Sequence, residues 1–203
     1  MPSVMETLSI CVDSWIIQDG NYSDFSVGQE ATFALEFWFE SEIKRSKKRV
    51  KTFFSNGPSE YEVVAEVVYR SEKALVLDFG FMAYKEIENP PYQTGDRVEG
   101  TLTMGIDPFF YASYLKDEPG FPWIKYKFRI NEIFLNTTPW IDNGRMTYRD
   151  ETRISFRSVP KTDAWNDDEG IGGYILKCEV LERAAPPDRK ISDSFLSRLL
   201  KLR

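Results

Sequence analysis

The chemistry open to this chain is narrowed first by what it lacks: none of its 203 residues is histidine. Ser-His-Asp and Cys-His nucleophilic catalysis, histidine-based zinc hydrolysis and the non-haem iron facial triad are excluded on residue type. There is no G-x-x-x-x-G-K-[ST] phosphate loop and no G-x-G-x-x-G turn opening a helix. The two cysteines, Cys11 and Cys178, are too few for a zinc site or a disulfide framework and read as small buried hydrophobes. Carboxylate chemistry remains, and it needs two acids facing across a cleft with pKa values pushed apart. Asp78 in Leu77-Asp78-Phe79 and Asp107 in Ile106-Asp107-Pro108 have the apolar neighbours that raise a carboxyl pKa by desolvation. Each also has a plainer role, Asp78 as a solvent-facing strand residue and Asp107 as a turn start before proline. No catalytic residue, metal site or cofactor is expected.

Three clusters are left as binding candidates. The densest aromatic stretch, 107–123, carries Phe109, Phe110, Tyr111, Tyr114 and Trp123 without strand periodicity, so it either buries itself over a barrel end or holds a partner. The acidic run 163–170 gathers oxygen ligands but lacks the alternating positions and distal glutamate of a calcium loop; Trp165 beside Asp167 and Asp168 suits a basic protein surface instead. Lys44, Arg45, Lys47, Lys48, Arg49 and Lys51 follow Phe37-Trp38-Phe39, the ingredients for gripping phosphates and stacking bases. Against nucleic acid stand the net charge of -6 and the alternation that turns Phe37 and Phe39 toward the core. The expectation is a non-enzymatic intracellular binding protein, concretely an inhibitor or immunity-type protein that covers a basic protein partner. The alternatives are a nucleic-acid module using residues 44–51 and a carboxylate-dependent hydrolase.

The elements that must position these clusters are mostly strands. Aromatics make up 15% of the chain, which favours pleated faces over Ala/Leu-rich helices. Ala31, Phe33, Leu35, Phe37 and Phe39 alternate with Thr32, Glu36 and Glu40; the same period two runs through Tyr61, Val63, Ala65, Val67 and Tyr69, and through Val98, Gly100, Leu102, Met104 and Ile106. Ile124, Tyr126, Phe128 and Ile130 lie on even numbers whereas Ile133 and Leu135 lie on odd ones, which predicts a β-bulge near Asn131. Further strands are expected within 8–18, 74–85, 152–157 and 174–181, separated by glycine- and proline-marked turns. The fold class is mainly β, a single antiparallel β-barrel or sandwich.

Phe25-Ser26-Val27-Gly28-Gln29 before one strong strand matches Tyr92-Gln93-Thr94-Gly95-Asp96 before another: aromatic, two residues, glycine, polar. Duplicated three-strand units over 7–70 and 74–135 would produce this, as would convergent use of glycine at a positive-φ turn. The stretch 60–106, with Gly95-Asp96-Arg97-Val98-Glu99-Gly100, resembles the opening meander of an OB-fold or S1-like barrel. That resemblance implies a barrel and carries over no function, because the exposed aromatic and basic groups such folds use are not evident there. Residues 1–185 form one all-β domain on this reading. Beyond Pro186-Pro187, Ile191, Phe195, Leu199 and Leu202 mark a short amphipathic C-terminal helix packed on it. The first residues show no signal-peptide pattern and no run of about 18 apolar residues occurs, so the expected location is cytoplasmic with no membrane contact. The tripeptides at Asn21 and Asn136 match the glycosylation pattern, which matters only in a secreted chain.

Overall fold

The computed structural model describes residues 7–39 and 43–186. Strand β1 (Thr7–Asp13) leads into helical turn α1 (Ser14–Gln18) and then β2 (Glu30–Phe39). The short β3 (Lys44–Arg45) and β4 (Thr52–Ser55) precede β5 (Glu60–Arg70), β6 (Ala74–Asp78) and β7 (Met82–Glu86). After β8 (Arg97–Ile106) come helical turn α2 (Phe110–Ser113) and β9 (Lys125–Asn136). A small hairpin, β10 (Trp140–Asp142) with β11 (Thr147–Arg149), precedes β12 (Phe156–Val159) and β13 (Gly173–Arg183). The helix expected beyond Pro186 lies outside the described residues. Among the described residues no helix is long and apolar enough to cross a membrane.

Eight strands close a barrel in the order β1-β13-β9-β2-β7-β6-β5-β8. The sheet is mixed, which corrects the expectation of purely antiparallel pairing: β1 runs parallel to β8 at Cys11–Gly105, and β7 parallel to β2 at Glu36–Tyr84. Tight hairpins dictate antiparallel neighbours. These two contacts are made by strands that meet without a connecting turn, so nothing imposes that direction.

The stretch 152–157 opens within the helical turn Glu151–Arg153 and is strand only from Phe156, and two more of the weaker expected strands break in the middle. The stretch 8–18 is a strand only to Asp13, because Ile16 and Ile17 are both buried and alternation gives way to the helical turn. The stretch 74–85 is a hairpin turned at Gly80, whose φ of 119° is open to glycine and whose N–H donates to Asp78 at 2.9 Å.

β2 and β8 also pair with each other, and the pairing is two-fold. Leu35 meets Ile106 and Phe39 meets Leu102, with Phe37 and Met104 at the centre. Outward from this centre the contacts repeat: β8 pairs with β5, as β2 pairs with β9. β5 carries an extra residue at Val68 where it pairs with β6, and β9 carries one at Asn131, the expected bulge, where it pairs with β13. In this register β1 corresponds to β7, and β6 to β13.

The glycine corners obey the same rule. Gly28 (φ 84°) donates to Ile130 O at 2.7 Å while Ile130 N donates to Gln29 O. Gly95 (φ 93°) donates to Val67 O at 2.8 Å while Val67 N donates to Asp96 O. A side chain in that left-handed region strains the backbone, so each corner selects glycine.

Period two sorts the barrel into an inner and an outer face. Leu8, Ile10, Phe33, Leu35, Phe37, Tyr61, Val63, Leu102, Met104 and Phe128 fill the inside, with Phe33 stacked on Phe128 at 4.4 Å. The intervening residues point outward, and every candidate site is built on that outer face or on the loops above it.

Candidate functional site

The aromatic stretch after β8 folds back as a plug over the outer face of β2, β6 and β7. Tyr111 is 0% exposed and packs with Leu115 and Ile124 on Ala34, Ala74, Val76 and Tyr84, a second core separate from the barrel interior. Asp107, 1% exposed, fastens it: its carboxylate accepts from Tyr84 Oη at 2.6 Å and from the N–H groups of Phe109 (3.0 Å), Tyr111 (3.1 Å) and Ala112 (3.3 Å). All four bonds serve the plug and its floor, so Asp107 is occupied as an anchor. Phe109 and Trp123 are half-buried, Phe109 stacked on Tyr22 at 5.8 Å, while Phe110 and Tyr114 remain exposed beside Asn21. Asp78 ends β6, paired with Lys51 Nζ at 2.7 Å.

On the same outer face lies a buried acid that alternation alone assigns to solvent. Glu36 is 6% exposed on the outer face of β2, and desolvation pushes its carboxyl up to about 7, with Lys85 pulling it back and Asp107 and Glu86 adding to the rise.

The basic cluster is neutralised by the strands it crosses. Arg45 pairs with Asp96 at 3.2 Å and donates to Pro91 O; Lys48 pairs with Glu99 at 3.0 Å; Lys51 pairs with Asp78. Lys44 lies opposite Glu99 in the β3–β8 ladder, and the hydrogen bond from Lys48 holds the Glu99 carboxyl below its usual range. Lys47 and Arg49 are exposed. Phe37 is wholly buried and Phe39 packs against the core, so neither presents a ring to a base.

The acidic loop is fixed at both ends. Asp167 accepts from Tyr174 Oη at 2.8 Å. Asp168 accepts from Trp140 Nε1 at 3.1 Å and pairs with Arg149, whose guanidinium lies 3.8 Å from the Trp140 ring centroid and donates to Thr138 O at 2.6 Å. Burial and the Asp167 bond raise the Tyr174 phenol above its usual range. Gln18 Nε2 clamps the loop to α1 by donating to Ala164 O (2.7 Å) and Gly170 O (2.8 Å), and Asp24 accepts from Thr162 Oγ1 and Ala164 N.

The clamp sets Trp15 (48% exposed), Trp165 (67%) and Ile171 (61%) on segments joined to one another. Residues 13–24 and 161–173 together carry Asp13, Asp19, Asp24, Asp163, Asp167, Asp168 and Glu169 against the single cation Lys161. The result is an acidic face studded with large apolar side chains.

Beside this face is a cleft of about 290 Å³, where β1 and β5 part along the edge of β8. Cys11, Ser59, Thr103 and Ile175 line it from the barrel, and Asn136, Arg149, Glu151, Ile154 and Phe156 from the excursion between β9 and β13; Asp13 and Glu60 complete its acidic lining. Burial raises the Asp13 carboxyl above its usual value, with a hydrogen bond from Trp15 pulling it back. The Cys11 thiol donates to Ser59 Oγ at 3.0 Å.

Of the residues picked out by sequence, Trp165, Asp167 and Asp168 come together on the acidic face, whereas Phe109, Phe110, Tyr111, Tyr114 and Trp123 belong to the plug and its margin. Trp15, Gln18, Asp24, Glu60, Arg149 and Glu151 were not singled out. Trp15 alone left a signal, an aromatic two residues after Asp13 at the end of an alternating run; the others act through contacts distant in sequence. The chain matches no family model, no curated protein and no solved structure.

Proposed function

We propose that this chain is a non-enzymatic intracellular binding protein that covers a basic protein surface, in the manner of an inhibitor or immunity-type protein. The observation that carries the reading is the clamped acidic face: seven carboxylates against Lys161 and the Arg149 that pairs with Asp168, with Trp15, Trp165 and Ile171 exposed among them. Exposed tryptophans are costly in water and serve as anchors when a partner buries them. The surrounding carboxylates speed encounter with a positive surface and reject an acidic one. A pre-fastened loop also loses little conformational freedom on binding, which preserves affinity. Neither alternative gains comparable support. The basic cluster spends Arg45, Lys48 and Lys51 on ion pairs within the fold, and Asp107 is fully engaged by the plug.

Affinity capture from lysate of the source cells tests the reading, with the native chain and Trp15→Ala/Trp165→Ala as baits. Basic proteins should be enriched by the native bait, released as salt rises, and reduced at least tenfold on the double variant. Equal capture by the two baits, or capture of acidic proteins only, would sink it.

A further inference from the structure

We infer that the cleft between β1, β5 and the β9–β13 excursion receives the cationic tip of a lysine or arginine side chain from that basic partner. The inference rests on the proposed reading for its partner and on the cleft itself for its chemistry. Asp13, Glu60 and Glu151 supply three carboxyl groups, and the one guanidinium in the lining, Arg149, is already held by Asp168, the Thr138 carbonyl and the Trp140 ring. An entering cation therefore meets acidic groups that Arg149 does not neutralise, and an entering carboxylate or phosphate is repelled.

Shape points the same way. Clefts for drug-sized ligands run from roughly 300 to 1,000 Å³, and about 290 Å³ suits one extended side chain. Ile154, Phe156 and Ile175 offer an apolar wall to a methylene stem, while Ser59 Oγ and Asn136 Oδ1, which already accept from Cys11 and from the Thr138 N–H, each keep a second lone pair for an N–H donor.

Position links the cleft to the acidic face. Asp13, in its lining, stands two residues before exposed Trp15, and Tyr174, also in the lining, is bonded to Asp167 of the acidic loop. A partner seated on Trp15 and Trp165 thus has a neighbouring socket for one basic side chain. The corresponding outer face on the other half of the barrel is filled by Tyr111, Leu115 and Ile124, so this socket is open on one side only.

The first test uses n-butylguanidinium and n-butylammonium as side-chain mimics and n-butyrate as the anion of matched size, titrated into the full chain while amide NMR signals of Thr103 and Gly173 are monitored. Both cations should shift these signals saturably and butyrate should not. Glu60→Gln/Glu151→Gln should weaken the cations at least tenfold while leaving the urea midpoint in place, which separates loss of the site from loss of the fold. Equal response to butyrate, or cation binding unchanged in the double variant, overturns the site. The second test captures basic partners with the same double variant. A tenfold loss supports a side-chain source, and unchanged capture overturns it. If the mimics fail to bind while Trp15 and Trp165 still govern capture, the cleft is refuted and the protein-binding reading stands. If the mimics bind and no basic protein is captured, that reading and the side-chain source fall together, leaving a free amine as the ligand.

Discussion

On one side of the barrel Ala34, Ala74, Val76 and Tyr84 lie beneath Tyr111, Leu115 and Ile124, while on the corresponding side Cys11, Thr103 and Ile175 line an open cleft. The strands match in register, bulge and glycine corner, so the two outcomes come from the residues on each outer face and from the segment that leaves each strand. After β8 the chain supplies a dense aromatic stretch that finds small and apolar residues to cover. After β2 it supplies the basic stretch, which instead crosses β8 and pairs with Asp96 and Glu99. The β5–β6 connection is short, whereas the β9–β13 connection brings Arg149, Glu151 and the acidic loop. Equivalent strands thus carry a filled face and an open one, and loop composition decides which is which.

The largest expected effect removes the plug's centre. Tyr111→Ala deletes a fully buried aromatic and leaves a cavity over Ala34 and Tyr84, and should cost about 3–5 kcal/mol in urea unfolding. A loss below about 1 kcal/mol would mean that the plug is a lid on a complete barrel and that the two faces do not differ in structural weight.

The next effect comes from Glu36, buried on the same outer face. Because Glu36 holds its proton more tightly folded (about 7) than unfolded (4.5), its contribution is fully present below about pH 4.5 and lost as pH rises through about 7. Stability should fall across that window by on the order of 3 kcal/mol, and Glu36→Gln should flatten the fall. Carboxylates whose pKa is lowered by a hydrogen bond, such as Glu99 and Asp150, lose their contribution below the window. A pH profile unchanged by Glu36→Gln would show that Glu36 is not sealed in solution.

A smaller effect sits near the two-fold centre, where Trp38 of β2 and Gly105 of β8 occupy corresponding positions. A Cβ on Gly105 would stand 2.1 Å from Trp38 Cη2, so the ring on one strand occupies the space left by the missing side chain on the other. Gly105→Ala should cost about 1–3 kcal/mol by overpacking, and Trp38→Leu in the same chain should recover part of it. No recovery would place the strain elsewhere.

How much of this was readable depended on whether neighbours in sequence carried it. Phe33, Leu35 and Phe37 announced an inner face because period two is local, and Ile130 against Ile133 announced the bulge at Asn131 for the same reason. Alternation puts Glu36 on the outside, where it lies, yet it is buried, and the Lys85, Glu86 and Asp107 that surround it come from segments about fifty to seventy residues on. The acidic composition of 163–170 was plain, but its clamp was not, since Gln18 reaches Ala164 across a separation of 146 residues. The basic cluster looked available because its partners, Asp96 just before β8 and Glu99 within it, lie about fifty residues away. Parallel closure at Cys11–Gly105 and Glu36–Tyr84 leaves no turn and hence no local mark.

The smallest expected effect tests the open side on its own terms. Ile154 lines the cleft and is 63% exposed, so the chain gains little stability from it. Ile154→Ala should change stability by no more than about 0.5 kcal/mol. If the cleft is as dispensable to the fold as the plug is necessary, the urea midpoint of this variant stays with the native chain while n-butylguanidinium binding weakens through loss of the apolar wall. A stability loss approaching that of Tyr111→Ala would instead mean that the cleft's rim is part of the fold's support, and that the difference between the two faces is one of shape alone.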